Sequence, residues 1–201
     1  VLDITVSEFR NAFSPEDPKD VNLLDWLRSD QFKPQIEQIK KCTNSKEVKQ
    51  IKKELKAITP SGTFITRRES DHINHSGLIQ VDIDGKDNPK CDMDELKEKL
   101  SKYDNIAFLA KSASGKGLFG LVVIQYPKKH KEHFDVLVEA YDKLNIRLDP
   151  KPRNVASLRF GTYDPNPYFN HYAVPFKRYK KQPQKKVYLA KKESNKSNNR
   201  F

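Results

Sequence analysis

Residues 77–84 constrain the fold more than any other segment, because an apolar run typical of a buried strand ends there in two acids. Strand side chains alternate between faces, so Asp82 and Asp84 should share one face while the residues between them face a core. Two carboxylates about 7 Å apart repel each other, and a divalent cation between them would remove that cost. The alternative is that the acids simply end the strand, with Gly85 beginning a turn that Asp84 caps.

The residue types at this acid pair favour magnesium or manganese. Mg²⁺ prefers carboxylate oxygens together with water and substrate phosphate, and Mn²⁺ behaves similarly. One more carboxylate would complete a two-metal site, the usual device for phosphoryl or nucleotidyl transfer. A calcium loop fits poorly, because Lys86 stands where a ligand is needed. Zinc bound through cysteine is excluded, because Cys42 and Cys91 lack metal-ligand spacing.

The charge of the chain indicates a polyanionic partner. Lys and Arg number 38 against 27 Asp and Glu, which gives a formal net charge of +11 over 201 residues. Such a surplus favours nucleic acid first and an anionic membrane surface second, and the alternative is a solvated lysine-rich surface without a partner. No run approaches the roughly 18 apolar residues that span a bilayer. Two scattered cysteines fit a reducing compartment, so a cytoplasmic location is expected.

The hydrophobic pattern predicts an α+β domain over residues 1–177, with a central, mainly antiparallel sheet flanked by helices and a helical N-terminal segment. Strands are predicted at 2–6, 63–66, 77–84, 106–110, 118–125 and 157–162. Helices are predicted at 21–29, from Pro34, and at 45–57, 92–101 and 128–144. Residues 178–201 are mostly Lys, Gln, Ser and Asn, and this composition predicts a basic flexible tail or linker.

A loop rich in serine and glycine separates the two strands predicted at 106–110 and 118–125. Its backbone N–H groups, hydroxyls and one lysine could face a phosphate. It is not a Walker loop, because Ala110 stands where the first glycine is needed and a strand rather than a helix follows. A plain hairpin turn explains the sequence equally well. The candidate nucleotide-binding residues here are Ser112, Ser114, Gly115, Lys116 and Gly117.

An arginine inside the predicted strand 157–162 is unusual. Arg159 suggests pairing with phosphate or carboxylate, and a salt bridge to a nearby acid such as Asp164 is the alternative. Lys151 and Arg153 lie close by in sequence and are candidate nucleic-acid contacts. His72 and His75, just before the acid-bearing strand, could join a metal or a phosphate, although a hydrogen-bonded or exposed pair is the commoner arrangement.

Four ordered segments resemble the N-terminal domain of virulence-associated-E-type proteins of bacteria, phages and mobile elements, over roughly residues 20–176. They are LKAITPSGTF at 55–64, HSGLIQVDID at 75–84, SASGKGL at 112–118 and LRFGTYDP at 158–165. That domain is similar to the archaeo-eukaryotic primase–polymerase superfamily. The resemblance therefore implies an RRM-like catalytic core and a role in DNA replication.

The resemblance also implies roles for residues. Asp82 and Asp84 match the superfamily's acid-x-acid motif, and Asp149 matches its third metal-binding acid, so all three are expected to be catalytic and to hold Mg²⁺ or Mn²⁺. The Ser/Gly loop and Arg159 are expected to bind nucleoside triphosphate. DNA and a helicase-like ATPase domain are the expected partners. Phe119 stands near the position of the superfamily's phosphate-binding histidine, which leaves open a catalytically inactive nucleic-acid-binding replication-initiator module.

Overall fold

The computed structural model describes residues 1–181. Its strands are β1 (Thr5–Phe9), β2 (Lys19–Asn22), β3 (Ala57–Thr59), β4 (Gly62–Phe64), β5 (His72–His75), β6 (Leu78–Asp84), β7 (Ile106–Lys111), β8 (Gly117–Val123), β9 (Arg159–Phe160) and β10 (Tyr168–Phe169). Its α-helices are α1 (Leu23–Arg28), α2 (Lys33–Lys41), α3 (Ser45–Glu54), α4 (Met93–Ser101) and α5 (His130–Asp142).

The main sheet has the strand order β10-β7-β8-β6, and each neighbouring pair is antiparallel. Because β6 and β7 both run antiparallel to β8, they are parallel to each other, and α4 connects them across the sheet. This is a split β-α-β arrangement, which α5 continues after β8. In the register of β6 with β8, Asp82 lies opposite Phe119 and Asp84 opposite Gly117.

Both faces of the main sheet are covered by apolar side chains. Val81 and Ile83 pack on one face in a core shared with α4 and α5. Phe119 and Leu121 pack on the other face, in a core shared with the N-terminal helices. Asp82 lies on this second face, because strand side chains alternate. The prediction that the residues flanking Asp82 face a core is confirmed.

A smaller sheet with the order β2-β1-β3-β9 is also antiparallel throughout. Its edge strand β9 pairs with β3, with Arg159 opposite Ile58. Strands β4 and β5 form a separate antiparallel pair. Through β9, a late segment of the chain is held where the side chain of Arg159 meets β6 of the main sheet.

The α+β class and the antiparallel pairing are confirmed, but the expectation of one central sheet is wrong. The strands divide into two four-stranded sheets and one two-stranded pair. Strands β2, β3, β5 and β10 were not predicted, because segments of two to four residues are too short to show an alternating pattern. Pairing with other strands determines them instead: β2 and β5 pair with the strand just before them, and β3 and β10 pair with strands much earlier in the chain.

The C-terminal end of the described chain contacts α5. The carbonyl of Arg178 accepts a hydrogen bond from His133 Nδ1 at 2.7 Å, and Lys180 N–H donates to the carbonyl of Glu132 at 3.0 Å. The rest of the predicted tail, residues 182–201, lies outside the described residues. No helix among residues 1–181 has the length and apolar character needed to cross a membrane.

Candidate functional site

An open cavity of about 730 Å³ lies beside the end of β6. Carboxylates, cations and hydroxyls that are far apart in sequence all line it. The ionisable residues in its wall are Lys52, Arg67, Asp82, Asp84, Asp149, Lys151 and Arg159, and the hydroxyls are those of Ser112, Ser114 and Ser157. The cavity therefore brings together the three predicted acids, the predicted arginine and two residues of the Ser/Gly loop.

The three acids come from two segments. Asp82 and Asp84 end β6 on one face of the strand. Asp149 follows α5, and its backbone N–H donates to the carbonyl of Asp82 at 2.9 Å, which anchors this loop beside the strand. The carboxylate of Asp149 also accepts from the backbone N–H of Lys151 at 3.0 Å. The predicted association of Asp149 with the acid pair is thus present in the fold.

Both carboxylate oxygens of Asp82 are hydrogen-bonded to other side chains. Its Oδ1 accepts from Arg159 Nη1 at 2.7 Å, and its Oδ2 accepts from the side-chain amide of Gln80. Burial raises the pKa of Asp82 above its ordinary value, Asp149 and Asp84 add to the increase, and Arg159 and Gln80 oppose it.

Arg159 connects the two sheets at the cavity wall. Its guanidinium lies 4.1 Å from the centre of the Phe119 ring, a cation–π contact, while it pairs with Asp82. Its Nε atom is buried and has no hydrogen-bond partner among the described residues. The alternative prediction, a salt bridge between Arg159 and Asp164, is wrong, because Asp164 instead pairs with Lys97 at 2.8 Å. Arg159 therefore retains a buried donor in the wall of a cavity.

Asp84 is more exposed than Asp82 and pairs loosely with Lys86 at 3.3 Å. Lys52, from α3, faces the same part of the cavity. Burial lowers the pKa of Lys52, the positive charges of Arg159 and Lys116 lower it further, and Asp84 opposes them. The positive charges of Arg159 and Lys116 thus repel that of Lys52, and a carboxylate or a bound anion would offset this repulsion.

The Ser/Gly loop forms the hairpin turn between β7 and β8, as the alternative interpretation predicted. Ser112 N–H donates to Gly117 O at 2.8 Å, and Gly115 N–H donates to Ser112 O at 2.7 Å. Gly115 has a φ of +72°, a conformation that favours glycine. The hydroxyls of Ser112 and Ser114 lie 3.4 Å apart and line the cavity. Gly115, Lys116 and Gly117 are not among the described residues that line the cavity.

The two candidate nucleic-acid contacts differ in position. Lys151 lines the cavity and pairs with Asp149 at 3.5 Å. Arg153 instead donates two hydrogen bonds to Asp135 of α5, at 2.6 and 3.1 Å. Its guanidinium is therefore committed to a carboxylate on the helix.

His75 and His72 lie away from the carboxylates, against a second cavity of about 540 Å³. His75 Nε2 lies 3.0 Å from His130 Nδ1, so the hydrogen-bonded interpretation is confirmed for His75. No sequence pattern singles out Lys52 or Arg67 as a cavity residue. Lys52 is one of many lysines, and Arg67 lies outside the recognised segments. What the two residues share is their position in the folded chain, because both lie in the wall of the cavity beside the end of β6.

The donor set suits a hard divalent cation, since carboxylate oxygens are the preferred ligands of Mg²⁺ and Mn²⁺. Asp84 is partly open, and each oxygen of Asp82 keeps one lone pair beyond its hydrogen bond. Within residues 1–181, however, no three His, Cys, Asp or Glu side chains are gathered closely enough to hold a metal ion. The acids share a cavity without forming a closed ligand cluster.

Comparison with known proteins gives one family. The sequence model described as BT4734-like, N-terminal domain matches residues 50–169, more than half of the chain. No curated protein and no solved structure matches. The matched family is neither a virulence-associated-E nor a primase–polymerase family, so the resemblance stated from the four segments is wrong. Acid-x-acid strands and small-residue hairpins are short patterns that unrelated α+β domains can share.

Proposed function

The chain belongs to the BT4734-like N-terminal domain family, and we propose that it is a metal-dependent nucleotidyl transferase acting in nucleic-acid replication. One observation carries the proposal: a single cavity holds three carboxylates, four cations and paired serine hydroxyls. This combination suits a nucleoside triphosphate with its metal, because cations and hydroxyls bind phosphate while carboxylates bind Mg²⁺ or Mn²⁺. The helicase-like partner rested on the rejected resemblance alone and is not part of the proposal.

The residues divide by chemistry. We assign Asp84 and Asp149, with the remaining lone pairs of Asp82, to hold the metal. Lys52 and Arg67 would attract the triphosphate, and Arg159, which also lines the cavity, would add positive charge. When bound, the metal would neutralise phosphate charge and activate the attacking hydroxyl.

The remaining wall of the cavity is suited to the nucleoside. Leu158 and Ala156 offer apolar surface, while Asn154 and Ser157 offer hydrogen-bonding groups. The split β-α-β unit supports an RRM-like core for this chemistry, with the acids on the strand β6. The proposed setting is the cytoplasm, where DNA and nucleoside triphosphates are both present.

A catalytically inactive nucleic-acid-binding module is the second candidate, and the contact of Arg159 with Asp82 favours it. A guanidinium at 2.7 Å already neutralises one of the three acids. Phe119 lies beneath that guanidinium and offers no group that could bind phosphate. In this candidate, Arg159 would complete a structural ion pair and the cavity would bind nucleic acid without turnover.

Nucleotide incorporation distinguishes the two candidates. The full chain is incubated with Mn²⁺, all four nucleoside triphosphates in deoxy or ribo form, and a primed or an unprimed single-stranded template. The proposal predicts incorporation by wild type that falls at least about a hundredfold in Asp84→Asn/Asp149→Asn, as expected when metal ligands are removed. The matched control Asp87→Asn/Asp104→Asn changes two acids that lie outside the cavity wall, and it should retain activity. Absence of incorporation by wild type, with oligonucleotide binding retained, would support the second candidate and overturn the first.

A further inference from the structure

Helix α3 carries its charges in separate stripes. At about 100° per residue, positions i, i+3 and i+7 of a helix lie on one flank. Lys46, Lys49 and Lys53 have this spacing, and all three are exposed. Glu47, Gln50 and Glu54 have the same spacing one residue later, so the acids lie on a different flank. Val48, Ile51 and Leu55 form the third stripe, which packs against the core.

The lysine flank, defined as Lys46, Lys49 and Lys53, is not neutralised within the protein. None of the three forms an ion pair with an acid among residues 1–181, although many other lysines do. The acids of the neighbouring stripe have other contacts: Glu54 accepts from Gln50 at 3.0 Å, and Glu47 accepts from Cys42. Segregation of this kind leaves one exposed row of positive charge.

The lysine flank adjoins the cavity through Lys52, which lies between it and the core stripe and lines the cavity wall. Further cations stand nearby. The charge of Lys116 acts on Lys52, and the side chain of Lys40 approaches Gly115 on the hairpin. Positive charge therefore continues from the outer flank of α3 to the mouth of the cavity.

An exposed aromatic ring stands next to the same flank. Phe13 is 67% exposed, and Lys53 Nζ lies 5.6 Å from the centre of its ring. The preceding residue, Ala12, lines the cavity, and its carbonyl accepts a hydrogen bond from Arg67 at 2.8 Å. An apolar ring left in water beside a row of cations is the combination that binds single-stranded nucleic acid, in which lysines follow the phosphates and an aromatic ring stacks on a base.

We propose that the lysine flank of α3 and Phe13 bind a single-stranded segment of nucleic acid and lead it toward the cavity. Lys46 to Lys53 spans about 10 Å of helix, and each of the three lysines would contact one phosphate. The inference rests on the proposed function for the identity of the strand as primer or template. Strand binding is thereby assigned to the lysine flank and Phe13 instead of Arg153, whose guanidinium pairs with Asp135.

Fluorescence anisotropy with a labelled single-stranded oligonucleotide, over a series of salt concentrations, tests the inference on the full chain. Removing three phosphate contacts in Lys46→Ala/Lys49→Ala/Lys53→Ala should weaken binding at least about tenfold near 100 mM salt and reduce the salt slope by about 2. Phe13→Ala should weaken binding about tenfold without changing the slope, because stacking releases no counterions.

Two matched controls remove the same groups elsewhere. Lys90→Ala/Lys99→Ala/Lys143→Ala removes three exposed lysines, and Tyr172→Ala removes an aromatic ring that is 92% exposed. Both should bind as wild type does. Equal affinity and slope for the α3 variant and its control would overturn the inference, as would the absence of oligonucleotide binding by wild type.

A parallel measurement uses vesicles that contain phosphatidylserine. If the α3 variant loses vesicle binding while its oligonucleotide binding is unchanged, the partner is an anionic membrane and the inference fails. The two proposals can also fail separately. If wild type binds the oligonucleotide through the lysine flank but incorporates no nucleotide, only the proposed catalysis is contradicted. If the α3 variant still incorporates nucleotide and its oligonucleotide affinity is unchanged, only the proposed role of the lysine flank is contradicted.

Discussion

Arg159 Nη1 lies 2.7 Å from Asp82 Oδ1, and this contact joins the edge strand of one sheet to the acid-bearing strand of the other. Both side chains are largely removed from water. A buried charge that loses its partner is costly, whereas removing both charges together costs less. The pair therefore has a structural role whether or not a metal or nucleotide also uses it.

A double-mutant cycle measures that role. Asp82→Asn or Arg159→Met alone should lower the free energy of unfolding by about 3 kcal/mol, because each leaves a buried group unpaired. The double variant should lose less than the sum of the two, with a coupling energy of at least about 1 kcal/mol. Urea denaturation of the four proteins gives these values. Strictly additive losses would show that the two groups do not interact in solution.

The histidine pair predicts a loss of stability in acid. His130 Nε2 donates to Pro152 O at 2.9 Å, so in the neutral ring Nδ1 must accept from His75 Nε2. His75 Nδ1 in turn accepts from Gly77 N–H at 2.9 Å. This directed chain requires both rings to be neutral. Burial, with the neighbouring histidines, lowers the pKa of His75 to about 3, and burial likewise lowers the pKa of His130 to about 4.

The direction of the pH effect follows from those values. Near pH 7 both rings are neutral in the folded and unfolded chains, and the stability is fully present. Below about pH 6.5 both histidines bind protons in the unfolded chain. In the folded chain His130 binds a proton only near pH 4 and His75 only near pH 3. The free energy of unfolding should therefore fall with decreasing pH by up to about 1.4 kcal/mol per pH unit for each histidine.

Urea unfolding at pH 7, 6 and 5 tests this expectation. His130→Gln can still donate to Pro152. It should reduce the slope of the free energy of unfolding against pH by the contribution of one histidine, up to about 1.4 kcal/mol per pH unit. His171→Gln, at an exposed position outside the chain of hydrogen bonds, should leave the slope as in wild type. An identical pH dependence in wild type and His130→Gln would contradict the neutral chain.

Gly85 fixes the distance between the acid-bearing strand and the Ser/Gly hairpin. Its N–H donates to the carbonyl of Lys116 at 3.0 Å, and a Cβ atom at this position would overlap that carbonyl oxygen. Gly85→Ala should lower the free energy of unfolding by about 1–3 kcal/mol and weaken nucleotide binding, because the backbone must shift. Thermal denaturation and nucleotide titration measure the two effects. Lys90→Ala, at an exposed position nearby in sequence, should change stability by less than about 0.5 kcal/mol.

The sequence predicted those parts of the fold that local patterns determine. Strand β6 has alternating faces over seven residues, so the orientation of Asp82 and Val81 followed from the sequence alone. Strand β9 has only two residues, and its place beside β3 depends on a segment about a hundred residues earlier. The partner of Arg159 was therefore not predictable from its neighbours, and the nearby Asp164 was the wrong alternative.

Part of the candidate site followed from the sequence in the same way. The acid-x-acid pair and the serines of the hairpin were identified from residue types and spacing. Lys52, Arg67 and Phe13 were missed, because only the folding of the N-terminal region onto β6 brings them to the cavity or beside it. The family predicted from the four segments was also wrong, because short motifs indicate local chemistry but do not establish common ancestry.

Binding of Mn²⁺, followed by electron paramagnetic resonance with and without a non-hydrolysable nucleoside triphosphate, tests most directly whether the cavity is one metal–nucleotide site. We expect wild type to bind Mn²⁺ at least about tenfold more tightly with the nucleotide present, and Asp84→Asn/Asp149→Asn to lose that binding at least about tenfold. Mn²⁺ affinity equal in wild type and variant, or unaffected by nucleotide, would contradict the account.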